Sequence, residues 1–265
     1  MRKVIFLLLL LLAGCKSSDL KIENQDSNLK EGWISLFNGK DLTGWTPKFQ
    51  GYALGENYKN TFQVKDGNII VSYDEYEKFD NNFGHLFYEK PYSNYRIKLE
   101  YKIYGEQTSG GAGWAYKNSG LMYHCQEPST MKLNQSFPIC LEGQFLAGNG
   151  IDERSTMNLC TPSTHVTIDG VYTEDHCINS TSKTFSDPDY WVAVEFIIHG
   201  SEDIYHLVEG DTVFHFTNPI YGGDDFSHIP EINEGDPVKG GYFALQAESH
   251  PIAFRNIMLL DLDKQ

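Results

Sequence analysis

The sequence predicts an all-β domain built as an antiparallel sandwich or jelly roll. Apolar and polar residues alternate with a period of two over many short segments, and few stretches keep apolar residues at helical spacing over three turns. Turn signals such as Asp66-Gly67 and Glu209-Gly210-Asp211 separate these segments. Many short strands without alternating helices are typical of two packed antiparallel sheets.

The strand pattern is clearest in Tyr95–Ile103, where odd-numbered residues are apolar and even-numbered residues are charged. Tyr190–Ile198 likewise places its even-numbered apolar residues on one face. In chain order the predicted strands are Thr61–Gln63, Gly67–Ser72, Tyr95–Ile103, Leu121–Gln126, Ile139–Phe145, Tyr190–Ile198, Tyr205–Val208, Thr212–Phe216, Gly241–Ala247 and Ala253–Leu260.

The N-terminus has the layout of a secretory signal. Arg2 and Lys3 precede an apolar run, residues 4–13, which is shorter than the about 20 residues that a membrane-spanning helix needs. Small residues before Cys15 resemble a bacterial lipobox, so we expect residues 1–14 to be a signal peptide and Cys15 to carry lipid. The alternative is an ordinary signal or anchor. Lys16 does not resemble an inner-membrane retention signal, so an exported lipoprotein of the outer membrane is favoured.

Residues 15–30 are polar and are expected to form a flexible tether, with a single domain over residues 31–265. The membrane is therefore a partner only through the lipid. Acidic residues outnumber basic ones 36 to 21, which gives a net charge of -15. No basic field is present to hold phosphate backbones, so nucleic acid is not expected as a partner.

Three predicted strands have one apolar face and one face of hydrogen-bonding groups. The polar faces carry Met122 and His124 on the first strand, Cys140, Glu142 and Gln144 on the second, and Tyr242, Gln246, Glu248 and His250 along the third. Such faces suit a sugar, because hydroxyls need donors and acceptors while the ring faces need apolar contact. The alternative is an outer face in contact with solvent.

Four motifs in order carry a resemblance to a known family. They are Leu36–Trp45 (LFNGKDLTGW), Asn118–Tyr123 (NSGLMY), Leu141–Gln144 (LEGQ), and Gly241–Ala247 (GYFALQA) with Phe254–Ile257 (FRNI). From about Glu31 to Leu262 the chain resembles the 3-keto-disaccharide hydrolases, also called 3-keto-glycoside hydrolases or lyases. The resemblance implies a concanavalin-like jelly roll of two sheets and action on glycosides whose C3 hydroxyl has been oxidised to a ketone. Two stretches, Gly105–Lys117 and Asn149–Asp187, do not match the family pattern and are expected to be loops at the mouth of the site.

The chemistry that the resemblance implies needs a base, a group that stabilises an enolate oxygen, and an acid. The C3 ketone acidifies the hydrogen on C2, and loss of that proton lets the enolate expel the aglycone from C1. Water can then add to the unsaturated sugar, so that the net outcome is hydrolysis. Glu142 matches the family's acidic strand position and is our candidate base. His124 and Glu248 are further catalytic candidates, and the expected partner is an oligosaccharide or glycoside.

The other candidate residues bind substrate or a metal ion. The substrate-binding candidates are Asn118, Gln144, Gln246, His250 and Arg255. Arg255 is expected either to stabilise oxyanion charge or to form a structural ion pair. The sequence requires no cofactor, but His124, Glu142 and Glu248 are an alternative ligand set for a divalent cation such as zinc, manganese or cobalt. A structural calcium ion near Asp224 and Asp225 is a further alternative.

Five cysteines leave four once Cys15 is assigned to lipid. An exported domain favours disulfides. Strand parity places Cys125 on the core face and Cys140 on the opposite face, which disfavours a bridge between them. Cys160 with Cys177 is the preferred pair. The alternative is a zinc site formed by Cys160, His165, His176 and Cys177.

Two other functions remain open at the level of sequence. Jelly rolls also hold sugars without transforming them, so a non-catalytic lectin-like module is the first alternative. A retaining glycosidase with two carboxylates about 5 Å apart is the second. Convergence of Glu142 with His124 and Glu248 would favour an enzyme, because pure binding needs no convergent titratable groups. The motifs of serine hydrolases, phosphate loops and dinucleotide-binding loops are absent from the sequence.

Overall fold

Sixteen β-strands in two antiparallel sheets make up most of the regular structure in the described chain, and the remaining regular structure consists of short 3-10 turns. The computed structural model describes residues 32–224 and 226–265. The expected signal peptide, the lipid-bearing Cys15, the tether and Asp225 lie outside the described residues and stay predictions. Among the described residues, no helix has the length and apolar character that a membrane span requires.

The larger sheet has ten strands in the described chain. In chain order they are β1 Trp33–Ser35, β3 Phe62–Lys65, β4 Asn68–Val71, β6 Asn94–Ile103, β10 Thr164–Ile168, β11 Val171–Thr173, β12 Val192–His199, β13 Asp203–Val208, β14 Asp211–Tyr221 and β16 Ile252–Asp261. Across the sheet the order is β11-β10-β14-β13-β12-β6-β16-β4-β3, and β1 pairs with the end of β16.

The smaller sheet has six strands in the described chain. They are β2 Trp45–Phe49, β5 Gly84–Tyr88, β7 Asn118–Cys125, β8 Leu141–Leu146, β9 Asn158–Cys160 and β15 Tyr242–Ala247. Their order across the sheet is β2-β5-β15-β7-β8-β9. The predicted fold class, all-β with two antiparallel sheets, is confirmed.

The core lies between the two sheets and takes one face of each. Along β6 burial alternates residue by residue, as the sequence of Tyr95–Ile103 predicted. Tyr101 of the larger sheet stacks on Phe145 of the smaller one, with ring centroids 4.4 Å apart and planes within 3°. Within the core, the Tyr123 hydroxyl lies 2.7 Å from His206 Nε2. The inner face of the smaller sheet is thus occupied by packing, which leaves its outer face for a site.

Six observed strands were not predicted, namely β1, β2, β5, β9, β10 and β11. Every residue of β5 is buried, because this strand is covered on both faces, and so its sequence shows no alternation. β2 contains Pro47, and it lies at the edge of the smaller sheet, where proline is tolerated. The strand predicted from Tyr190 begins instead at Val192, and Tyr190 is exposed.

A one-residue bulge near the end of β7 changes the faces that its last residues occupy. Tyr242 pairs with Cys125 and Ala244 with Met122, so β7 has one residue more than β15 between these pairs. His124, in the bulge, has a φ of 49°. A bulge of this kind reverses the alternation beyond it. From His124 onward, residues of β7 therefore do not follow the faces that simple parity predicts.

Candidate functional site

The outer face of the smaller sheet forms the floor of a cavity of about 820 Å³. Asn118, Glu142, Gln144 and Glu248 all line it. These residues come from three neighbouring strands or strand ends, β7, β8 and β15, because Gly120 pairs with Gln144 and Leu245 pairs with Leu121. The structure thus brings together four of the residues that the sequence singled out.

The Glu142 side chain lies across the strand beside it. A Cβ atom built on Gly120 would stand 2.5 Å from Glu142 Oε1, closer than real Cβ atoms approach other atoms. Gly120 is therefore the residue that leaves room for the carboxyl group on this face of the sheet. The Gln246 amide lies next to the same carboxyl group and favours its ionised form.

Glu142 and Glu248 are both buried at the floor of the cavity. Burial raises the pKa of Glu142 to about 8, while the Gln246 side chain acts in the opposite direction. Burial also raises the pKa of Glu248 well above its ordinary value, and the nearby charge of Glu142 raises it further. Two carboxyl groups in one desolvated site cannot both ionise at low cost, so Glu248 holds its proton when Glu142 loses one.

Several buried polar atoms around these carboxyl groups have no protein hydrogen-bond partner among the described residues. They include Asn118 Oδ1 and Glu248 Oε2. Unpaired buried polar groups are costly, so such a cluster indicates a place for a polar ligand. Gln144 is held differently, because Asn158 Nδ2 donates to Gln144 Oε1 at 3.0 Å.

Two loops and a strand ribbon form the walls of the cavity. One wall contains the aromatic side chains of Trp114 and Phe137. Another wall is formed by residues 160–165, Glu174, His176, Cys177, Gly222, Gly223 and Asp224. Gly105–Lys117 and Asn149–Asp187 both contribute residues to the mouth of the cavity. The expectation that both are loops is wrong for the second, because it contains β9, β10 and β11. Sequence reasoning did not identify the roles of Trp114 and Phe137 in the cavity wall, although a tryptophan in a glycine-rich insert was the available signal for the first.

The expected position of His124 beside Asn118 and Met122 is wrong. The bulge turns its ring away from the cavity, whose lining does not include it. Its Nε2 lies 3.0 Å from the carbonyl oxygen of Gly200, and its ring packs edge-on against Tyr95. Burial lowers the pKa of His124 to about 4, which fits a neutral structural histidine.

His250 and Arg255 also lie away from the cavity. The His250 ring packs edge-on against Tyr116, with centroids 5.4 Å apart, and does not line the cavity. Arg255 belongs to β16 of the other sheet, where its Nε donates to Glu100 Oε2 at 2.7 Å. Of its two expected roles, the structural ion pair is the one that the geometry supports.

The ligand set proposed for a divalent cation, His124 with Glu142 and Glu248, is not assembled, because the His124 ring lies on the other side of the sheet. Within the described chain, the only three candidate ligand atoms lying within 4.8 Å of one another belong to Cys160, His176 and Cys177. Cys160 and Cys177 are joined in a disulfide, the preferred pair from the sequence, so their sulfurs are not available as zinc ligands. The calcium alternative concerned Asp224 and Asp225. Asp224 Oδ2 accepts a hydrogen bond from the Ser163 hydroxyl at 2.7 Å, and Asp225 lies outside the described residues.

The expectation that Cys125 and Cys140 face opposite ways is wrong. Both are free, buried, and packed in one cluster with Phe87, Met122 and Ala244 on the outer face of the smaller sheet. The bulge at His124 is the reason, since it returns Cys125 to the face of Met122. The two thiols are close enough to interact, and burial together with Cys125 raises the pKa of Cys140.

Solved structures share this fold. Two candidate glycosyl hydrolases of Parabacteroides distasonis align with TM-scores of 0.52 and 0.50, at 22% and 16% identity; the alignments cover 88% and 87% of this chain and 95% and 99% of theirs. A Bacillus subtilis protein of unknown function with a galectin-like fold aligns with a TM-score of 0.51 at 11% identity, over 83% of this chain and 90% of that one. At these identities the likeness concerns the fold alone, and it confirms the concanavalin-like sandwich.

The curated proteins contain no match to this sequence. A family model does match, and its description is the 3-keto-alpha-glucoside-1,2-lyase-like domain. The match covers residues 32–260, which include the whole smaller sheet, all but the last residue of the larger one, and every residue of the cavity floor. The chain therefore belongs to the family of 3-keto-alpha-glucoside-1,2-lyase-like domains.

Proposed function

We propose that this protein is an enzyme that cleaves the glycosidic bond of 3-keto-glycosides by removing the C2 proton and eliminating the C1 substituent. The observation that carries the proposal is a pair of buried carboxyl groups, Glu142 and Glu248, at the floor of one cavity. The volume of about 820 Å³ falls within the usual range of small-molecule sites. Membership of the family supports a carbohydrate substrate.

Glu142 is the general base in this scheme. A base acts best when its pKa lies near the working pH, and burial raises the pKa of Glu142 to about 8. Its carboxylate takes the C2 proton, and the electron pair of the C2–H bond forms the enolate of the C3 ketone. The ketone then re-forms as the C1–O bond breaks and a C1=C2 double bond appears.

Glu248 is the general acid for the leaving oxygen. Its raised pKa keeps the proton on this carboxyl group while Glu142 is ionised. Transfer of that proton to the departing oxygen gives an alcohol and an unsaturated 3-keto sugar, so atoms and charge balance. Addition of water across the double bond, with ionised Glu248 as the base, completes a net hydrolysis.

Side-chain amides orient the sugar and hold the enolate oxygen. Asn158 Nδ2 donates a hydrogen bond to the side-chain carbonyl oxygen of Gln144. Gln144 Nε2 is therefore the atom that can donate to a substrate at the cavity floor. The unpaired carbonyl of Asn118 accepts a hydrogen bond from a sugar hydroxyl. Donors placed where negative charge develops stabilise the transition state more than the ground state.

The test is turnover of methyl 3-keto-α-glucoside, followed by absorbance of the unsaturated ketone and by release of methanol. Glu142→Gln is expected to lower kcat by about 10²- to 10⁴-fold while the dissociation constant stays near that of the wild type. Glu202→Gln is the matched control, because Glu202 is exposed and lies in a turn of the larger sheet. Full turnover by Glu142→Gln would remove this residue from the base role.

The same assay separates the two other functions. Binding of the keto sugar by wild-type protein without any product would indicate a lectin-like module. Cleavage of unoxidised methyl α-glucoside at a rate equal to that of the keto sugar would instead favour a conventional glycosidase with two carboxyl groups.

A further inference from the structure

Trp114 is an exposed aromatic side chain at the mouth of the cavity. Its relative exposure is 55%, although it lines the same cavity as Glu142 and Glu248. It lies in a single 3-10 turn, Gly113–Ala115, within the insert that departs from the family pattern. A large apolar ring that is held at a cavity and left open to solvent points to a binding role.

The ring of Trp114 is held in place from one side. It stacks on Phe83, with ring centroids 5.8 Å apart and planes within 18°. Phe83 is itself buried and packs against Phe137 at 4.9 Å. Because one face of the indole is covered, the rest of the ring is presented to the cavity as a rigid platform. Pyranose rings carry apolar C–H faces that pack on aromatic surfaces of this kind.

The positions of the Glu142 and Glu248 carboxyl groups along β7 indicate which end of the substrate contacts Trp114. The Glu142 carboxyl group lies over Gly120. Leu245 pairs with Leu121, and counting along this antiparallel register brings residue 248 level with residue 118. Glu248 is therefore displaced from Gly120 by two residues, or about 7 Å, in the direction of Trp114. Asn118 at this level donates from Nδ2 to the carbonyl oxygen of Trp114 at 3.5 Å.

We propose that Trp114 is the platform that binds a leaving sugar ring. The inference rests on the proposed function, in which Glu142 acts at C2 and Glu248 protonates the leaving oxygen. A leaving group attached to that oxygen extends past Glu248, and Trp114 is the apolar surface on that side. The platform favours a substrate whose aglycone is itself a pyranose over one with a small alkyl aglycone.

Two probes separate the leaving ring from the oxidised ring: maltose oxidised at C3 of its non-reducing ring, called 3-ketomaltose here, and methyl 3-keto-α-glucoside. In the full-length protein, Trp114→Ala is expected to raise KM for 3-ketomaltose about 2- to 10-fold and to leave KM for the methyl glycoside unchanged. Trp114→Phe keeps an aromatic ring and is expected to recover part of the loss.

The matched control is Tyr190→Ala. Tyr190 is also exposed, at 43%, and stacks on a phenylalanine, Phe185, with centroids 5.7 Å apart and planes within 18°. It does not line the cavity, so its loss is expected to change neither KM. An equal rise in both KM values for Trp114→Ala would place the oxidised ring on Trp114 and overturn the assignment, and no rise in either would overturn the platform.

Calorimetric binding of both probes keeps the platform testable if no turnover occurs. It is measured in Glu142→Gln and in the double variant Glu142→Gln/Trp114→Ala. A loss of affinity for 3-ketomaltose alone, together with inactive wild-type protein, would support the platform and refute the proposed reaction. Failure of both probes to bind Glu142→Gln would refute the platform.

Discussion

At the scale of single residues, the chemistry depends on two carboxyl groups that share one buried floor. Desolvation is the main cause of the raised pKa of both Glu142 and Glu248, and the ionised form of Glu142 raises the pKa of Glu248 further. The two groups therefore lose their protons one after the other. This order provides a base and an acid at the same pH from two side chains of the same type.

The order of titration predicts a pH profile. Because Glu142 must be ionised to act as the base, kcat/KM is expected to rise with pH, with a midpoint near 8. Glu248→Gln is expected to keep this rising limb while kcat falls, since the shift of Glu142 comes mainly from burial. Initial rates between pH 5 and pH 10 provide the measurement. A rising limb centred near 4.5, the ordinary pKa of a glutamate side chain, would contradict the assignment of the base.

The sequence placed Glu142, Gln144 and Asn118 correctly on the floor of the cavity but misplaced His124. Alternation is reliable while a strand stays regular, and β8 is regular from Leu141 to Leu146. A single extra residue in β7 moved His124 away from the cavity and returned Cys125 to the face of Met122. The sequence around His124 in β7 does not indicate a bulge, since the positive φ is adopted by a histidine and not by a glycine.

At the scale of elements, glycines on the paired strands β7 and β8 serve opposite faces of the same sheet. Gly120 leaves room for the Glu142 carboxyl group on the cavity side. Gly143 faces the core, where an added Cβ would meet the Phe196 ring. Gly120 is thus needed for the geometry of the cavity, and Gly143 is needed for the packing of the core.

Alanine substitutions test this division. Gly120→Ala is expected to displace the carboxyl group and lower kcat/KM by about 100-fold, while the free energy of unfolding changes by less than about 1 kcal/mol. Gly143→Ala is expected to destabilise the fold by about 1 to 3 kcal/mol through overpacking and to keep most of the kcat of the folded protein. Urea unfolding and steady-state kinetics on both variants provide the comparison. Equal losses of activity in the two variants would argue against the role of Gly120.

The ribbon β10–β11 shows how an element that sequence reasoning missed shapes the site. It is enclosed by the Cys160–Cys177 disulfide, which joins residues 17 positions apart. Residues at both ends of this loop, including His165 and His176, line the cavity. The sequence predicted the disulfide pair but not these strands, which have only five and three residues; β10 pairs with β14, and β11 pairs with β10.

At the scale of the whole molecule, the two sheets divide stability and function between them. The alternation of Tyr95–Ile103 allowed the sequence to predict the sandwich, because one face of β6 packs in the core and the other meets solvent. In the smaller sheet β2, β5 and β9 were not predicted, and β5 is buried on both faces, so its sequence carries no alternation. The strands that form the cavity floor, β7, β8 and β15, were predicted, because each has one apolar face and one face of hydrogen-bonding groups.

Arg255 illustrates the division between a sheet for stability and a sheet for function. It belongs to a family motif but lies on the larger sheet, away from the cavity. Its guanidinium contacts the Glu100 carboxylate at 2.6 Å and lies 4.1 Å from the centre of the Trp191 ring. Arg96 on the same sheet makes a matching pair with Glu195. Both ion pairs are partly exposed, so each is expected to contribute about 1 kcal/mol or less.

Arg255→Ala is therefore expected to lower the free energy of unfolding by about 1 kcal/mol and to leave kcat/KM for a 3-keto-glycoside unchanged. Arg96→Ala, which removes the corresponding ion pair, is expected to behave in the same way. Unfolding curves and initial rates on the two variants distinguish a structural arginine from one that stabilises an oxyanion. A large fall in kcat/KM for Arg255→Ala alone would mean that the larger sheet contributes to the chemistry. Loss of an ion pair on the outer face of that sheet can alter the floor of the smaller sheet only through a change in the core between the two sheets.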